Sequence, residues 1–360
     1  MRIDLASVRF SERERTVVES GALSVTAFRY DSDVAALRVK NAVGEVILLP
    51  FHGQQIWDAT FYGRGLKMRS VFSEPAAATE YLSNYGAFLL HCGAQAMGNP
   101  GPTDTHPLHG ALPHAQFQEA WLTLGIDAGS RHVTLSGTYR HRVAFGANYL
   151  FSPSLRVAEN TGRLRLEVSV RNTRSKPMDL MYLAHINFRP VNGARILDAI
   201  PDDRRFIRLR RRLPEFFAQD ESYQNLVEQI TADPATHRDV VAGRAIDPEL
   251  VFGLDCVPGL DGWAHALQRL PDGTADFVSH RPAELQHAVR WMTRNGDEDA
   301  LGLVLPATAE ADGHDAEVKK GNVGQLAPGA EFRSTIDFGA LTALETRETE
   351  VAIAAARDRS

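Results

Sequence analysis

The feature that most constrains this chain is the strict alternation of apolar and polar residues in Arg163-Leu164-Arg165-Leu166-Glu167-Val168-Ser169-Val170. Successive side chains of a strand point to opposite faces, so this segment reads as a strand with one buried and one wet face. The turn residues Glu159-Asn160-Thr161-Gly162 precede it, and Ser154-Leu155-Arg156-Val157 lies before them, so the unit predicts a hairpin. Comparable strands are expected at 36–39, 45–49, 132–139, 180–187, 302–305 and 332–338. Many short strands between Gly, Pro and Asn turns predict an all-β fold, a large antiparallel β-sandwich, rather than alternating β and α units. Helix is expected only over 214–243, where Phe217, Tyr223, Leu226, Val227 and Ile230 recur near helical spacing, and at a turn near Glu80. The stretch 214–247 reads as a partly helical insertion into a single domain spanning 1–360, placed to cover an edge or a cleft.

With 360 residues, 44% of them hydrophobic, the chain can bury a substantial core. Its 39 basic and 45 acidic residues leave a net charge of −6, so no protein-wide positive field draws it to nucleic acid or to anionic lipid. The one basic run, Arg204, Arg205, Arg208, Arg210, Arg211 and Arg212, follows Asp202 and Asp203 and reads as a solvated strand or rim rather than a phosphate patch. Two cysteines, Cys92 and Cys256, make no disulfide framework and no ligand motif, which fits a reducing compartment. The charged first twenty residues lack the apolar core of a signal peptide, and no window approaches a membrane-spanning length. The expectation is a soluble cytoplasmic protein, monomer or homodimer, whose partner is a small molecule.

Three histidines, His106, His109 and His114, crowd a Gly/Pro-rich loop, and loops carry function more often than the strands that hold them. Their spacing matches no zinc pattern, and no nearby Cys or carboxylate completes a ligand set, so no metal is expected. His185 falls within a strand, where a lone histidine is usually a satisfied core residue, but its alternation with Asn187 puts two polar groups on one face and suggests a lined cleft. A third region joins Arg290-Trp291-Met292-Thr293-Arg294 to the apolar strand 301–305 and a Pro-broken loop carrying Glu310 and Asp312. Alone that loop is an exposed turn; with the arginines and the indole it offers hydrogen bonds and a flat ring to a polyol.

Taken in order, these segments resemble the aldose 1-epimerase (galactose mutarotase-like) superfamily, in its branch of bacterial epimerase-like proteins of unknown function, and the resemblance spans most of the chain. It rests on His106-Pro107-Leu108-His109-Gly110 followed by Pro113 and Gln118-Glu119-Ala120-Trp121, and on Arg171-Asn172-Thr173, Lys176-Pro177 and His185-Ile186-Asn187-Phe188. Asp255, the stretch Arg290-Trp291 with Thr293-Arg294, and the turn Leu326-Ala327-Pro328-Gly329 add to it. The resemblance implies a mutarotase that interconverts sugar anomers by acid and base catalysis without a cofactor. His185 then stands as the acid, Glu310 as the base, and His106, His109, Asn187, Asp255, Arg290 and Arg294 as substrate-binding residues. Imidazole suits a proton donor near neutrality, and a buried carboxylate suits the acceptor.

Two departures bear on the mechanism. The family's base is a glutamate before a proline, where this chain has Leu305 before Pro306, so Glu310 in the following loop is the nearest carboxylate. The Asn–Arg pair of many true mutarotases has no clear counterpart around Asn84-Tyr85-Gly86. Two other readings therefore remain: a different sugar-active enzyme, an isomerase or lyase whose arginines bind an acidic or modified sugar, and a carbohydrate-binding protein without catalysis.

Overall fold

The alternating segments pair as their hydropathy requires. In the computed structural model, which describes residues 1–127, 129–211 and 220–359, Arg163–Asn172 buries Leu164, Leu166, Val168 and Val170. It lies antiparallel between Asn148–Ala158 and Glu331–Leu341. Among the described residues the strands form two large sheets, one of nine strands and one of thirteen, and every pairing between these strands is antiparallel. Between them Phe88 and Phe338 meet with ring centroids 5.9 Å apart, inside one continuous buried cluster that also takes Phe151, Leu166 and Leu303. Each such side chain removed from water stabilises the fold by roughly 1.5–3 kcal/mol, which is what holds two twisted sheets face to face. The architecture is the antiparallel sandwich expected.

Four neighbouring strands of the larger sheet position the site: β1 (Met178–Ile186), β2 (Ile246–Leu254), β3 (His287–Arg294) and β4 (Asp299–Ala307), in the order β2-β3-β4-β1. Because alternate residues share a face, Leu183 and His185 of β1, Glu249 and Val251 of β2, Val289, Trp291 and Thr293 of β3, and Leu305 of β4 all line one cavity. Arg290, between Val289 and Trp291, points the other way and is fully buried.

Helix α1 (Glu221–Ala232) falls inside 214–243 as the spacing predicts. Asp220 caps it by accepting a hydrogen bond from the Tyr223 backbone N–H, and Tyr223, Leu226 and Ile230 are its buried face. The Tyr223 hydroxyl donates to the backbone oxygen of Glu249 at 2.8 Å, which seats the helix on the cavity's outermost strand. Phe217 and Arg212 lie outside the described residues. The expectation that helix stops there is corrected by α2 (His314–Lys320) and α3 (Ala343–Arg357). Thr342 and Glu345 form a reciprocal capping box at the start of α3, and Ile353 and Ala356 pack it onto Leu267 and Phe277. None of the described helices is long and apolar enough to cross a membrane. The basic run lies on and around Ile207–Leu209, a short strand at the edge of the larger sheet, as a solvated strand or rim would; Arg205 pairs with Asp203, Arg208 with Asp255 and Glu310, and Arg210 with Glu249.

Candidate functional site

The cavity, about 340 Å³, opens over β1–β4 and is roofed by the loops carrying Val71, Phe72, Tyr81, Leu82, Tyr85, Asn99, Leu108 and His109. Its walls are mostly rings and aliphatic side chains with a few converging polar groups, the usual make-up of a small-molecule site. Tyr85, His185 and Trp291 form a three-ring corner: His185 and Trp291 are edge to face at 5.4 Å, and Tyr85 stands 5.7 Å from each. His109 meets His185 edge to face at 5.4 Å and lies 4.8 Å from the Tyr81 ring.

His185 is held in one tautomer. The side-chain Nδ2 of Asn187 donates to the backbone oxygen of Ala87 at 3.0 Å, and since a carbonyl only accepts, this fixes the amide with Oδ1 turned to the ring. His185 Nδ1–H then donates to that oxygen at 2.7 Å, and Nε2, which has no partner among the described residues, is the ring nitrogen left for the cavity that His185 lines. Burial lowers the pKa of His185 to about 4, with the Asn187 hydrogen bond opposing, so at neutral pH the imidazole is uncharged. The family resemblance casts it as an acid; the resting geometry instead presents an acceptor.

His109 reaches the cavity from a loop with left-handed backbone, φ 58°, followed by Gly110 at φ 80°. A Cβ at Gly110 would lie 2.1 Å from the Ala96 oxygen and 2.4 Å from that of Gly93, so only glycine lets the loop close on the sheet. Hydrogen bonds from His109 N to Gly98 O and from Gly93 N to His109 O pin it there. Burial, with His185 and Arg210 nearby, drives the His109 pKa well below the usual histidine value. The phenols of Tyr81 and Tyr85 are pushed well above their ordinary value, chiefly by burial, and stay protonated.

Glu249 lines the cavity from β2. Its Oε1 accepts from Arg210 and its Oε2 from the Trp291 indole N–H, both at 2.6 Å. Neither Glu249 nor Arg210 was singled out from sequence for the site, and Tyr81 and Tyr85 were also missed. Glu249 follows Pro248 with no surrounding motif, and only its partners identify it.

Several expected site residues lie elsewhere. Glu310 packs over Gly253, where Arg208 takes Oε1 at 2.9 Å and Lys320 takes Oε2 at 2.7 Å. Burial alone would raise its pKa, but Lys320 and Arg208 outweigh it and hold the carboxylate below its usual range. Glu310 thus lies outside the cavity with both carboxylate oxygens paired to cations. Asp255 is bound by Arg208, and Arg294 by Asp299 and Asn192. Arg290 binds Asp198 and His237 behind the sheet. None of these three lines the cavity, so the arginines expected to hold an acidic sugar are committed to other partners. His106 accepts from the His314 backbone N–H outside the cavity, and His114 lies 3.0 Å from His52 in a separate buried network. Asn187 acts on His185 and not on the cavity directly.

Two groups of possible metal ligands occur among the described residues: Asp104, His314 and Asp315, and Glu310, Asp312 and Glu317. The second already encloses the Lys320 ammonium, and no member of either lines the cavity.

The fold is that of galactose mutarotase-like proteins. A candidate aldose 1-epimerase from Klebsiella pneumoniae superposes with a TM-score of 0.84 over 99% of this chain and 96% of its own, at 17% identity. A galactose mutarotase-like protein from Clostridium acetobutylicum gives 0.59 over 89% and 98%, at 15% identity. A candidate aldose 1-epimerase from Escherichia coli K12 gives 0.52 over 84% and 97%, at 14%. No curated protein matches the chain by sequence. Residues 31–340 match the model of the family described as a domain of unknown function, DUF4432, and the chain belongs to that family.

Proposed function

We propose that this protein binds an aldose in the cavity and interconverts its anomers, with His185 carrying the proton. The observation behind this reading is that His185 lines a ring-lined cavity with Nδ1 anchored to Asn187 and Nε2 without a partner among the described residues. Ring opening of a cyclic aldose moves one proton: O1–H breaks as C1=O1 forms, the C1–O5 bond breaks, and O5 takes the proton. O1 and O5 share C1, so one imidazole can accept from the first and return to the second. Rotation about C1–C2 and the reverse steps give the other anomer. General acid–base catalysis of this kind contributes roughly 10²- to 10⁴-fold. The Trp291 and Tyr85 rings suit the C–H face of a pyranose, and Glu249, Arg210, His109 and Asn99 supply polar contacts for its hydroxyls.

A second reading, sugar binding without turnover, draws on Leu305 at the position of the family's base and on Glu249, whose two oxygens are both occupied. Exchange NMR of the α and β anomeric signals over a panel of sugars separates the two. Acceleration that disappears in His185→Ala supports the epimerase, whereas saturable binding with no acceleration for any sugar overturns it in favour of the binding protein.

A further inference from the structure

The wall beside His185 is aliphatic. Val289 and Leu305 are direct register partners across β3 and β4, Leu183 pairs with Ala307 across β1 and β4, and Leu183, Val289 and Leu305 line the same cavity as His185. Leu183, Val289 and Leu305 are each at most 4% exposed, and all three face the cavity. Aliphatic side chains carry no polar atom, so the face they present to the cavity offers neither donor nor acceptor. The polar residues of the lining lie elsewhere: Asn99 and His109 on the roof loops, Arg210 and Glu249 on the β2 side, and Thr293, Asn295 and Glu298 at and beyond the end of β3.

We propose that the substrate is a 6-deoxy aldose, whose C5 methyl group packs on Leu183, Val289 and Leu305. This rests on the function proposed above, because it takes His185 Nε2 as the point that C1, O1 and O5 approach. With O5 at His185, the neighbouring C5 and its substituent face the aliphatic wall. A hydroxymethyl group there would carry its oxygen into a surface that cannot hydrogen-bond it, losing contacts it makes in water. A methyl group loses nothing and gains burial. An apolar surface rejects an added hydroxyl only modestly, so the expected discrimination is roughly tenfold to a hundredfold.

The test uses matched pairs differing only in the 6-hydroxyl: D-galactose and D-fucose, D-glucose and 6-deoxy-D-glucose, L-galactose and L-fucose, L-mannose and L-rhamnose. Calorimetric Kd and anomer-exchange rate are measured for each with the full chain. The proposal expects the 6-deoxy member of the pair that binds best to bind at least about tenfold tighter, and Leu305→Asn, nearly isosteric but able to hydrogen-bond, to shrink that gap. Parent hexoses that bind and exchange as well as their 6-deoxy partners overturn this inference and leave the epimerase standing. Preferential 6-deoxy binding without exchange keeps the inference about the ligand and removes the epimerase. If no member of any pair binds, both fall.

Discussion

His185 and His237 are both buried, both uncharged at neutral pH and both anchored through Nδ1, yet they do opposite things. His237 donates from Nδ1 to the Pro234 oxygen and accepts at Nε2 from Arg290 at 2.6 Å, closing a network in which Arg290 and Arg238 share Asp198. His185 is anchored to Asn187 in the same way, but its Nε2 is left open to the cavity. Burial lowers the pKa of His237 to about 3 and that of His185 to about 4, so a depressed pKa does not separate a structural histidine from a site histidine. The unspent lone pair does. Perturbed titration marks a candidate, and geometry decides its role.

The comparison breaks first where the network is cut. Asp198→Ala leaves two buried guanidinium groups without their shared carboxylate and is expected to cost about 3–5 kcal/mol in denaturant unfolding; a loss under about 1 kcal/mol would show that the network is not structural. On the open side, His185→Ala should cut anomer exchange by roughly 10²- to 10⁴-fold while sugar binding persists, read by exchange NMR and calorimetry. Replacing Asn187 with Leu frees the ring and its tautomer. The expected result is exchange reduced by about 10- to 100-fold with Kd changed far less, as for other residues that orient a reacting imidazole; unchanged exchange would remove Asn187 as a positioning residue.

The pH dependence has a definite sign. The pKa of His185 is lowered on folding, so between its unfolded value near 6.5 and about 4 the unfolded chain binds the extra proton. Stability from this group is complete above pH 6.5 and is lost as pH falls towards 4, and His237 adds to the same trend. For catalysis, a neutral acceptor predicts a rate constant level from pH 6 to 8 that falls as His185 protonates near 4. A rate falling tenfold per unit above pH 4 would instead show the imidazolium acting as the acid. The smallest effect is expected from Glu310→Gln: exchange within about threefold of the original protein, since the residue only serves Arg208 and Lys320.

Much of the fold was legible because strands with one buried face write their period into the sequence, as in 163–170. The start of helix α3 is also written in the sequence, as the capping-box pattern Thr342-Ala343-Leu344-Glu345. The site was legible in part. The loop of His109 and the strand pair of His185 and Asn187 stood out as polar groups on apolar elements, and Trp291 was noted as a flat ring. The pairing of Arg290 with Trp291 in one site was excluded by parity alone, since neighbours on a strand face opposite ways.

By itself, then, the sequence determined what depends on neighbours in the chain: strand period, turn positions and the glycine that lets the His109 loop close. The tertiary structure alone decided which charged residues remain free. Arg208, Arg290, Arg294, Asp255 and Glu310 each find a partner many residues away, and Glu249, silent in sequence, is carried by β2 into the cavity. A charge has no preferred sequence separation for its counter-ion, so its availability to a ligand is set only when the sheets have packed.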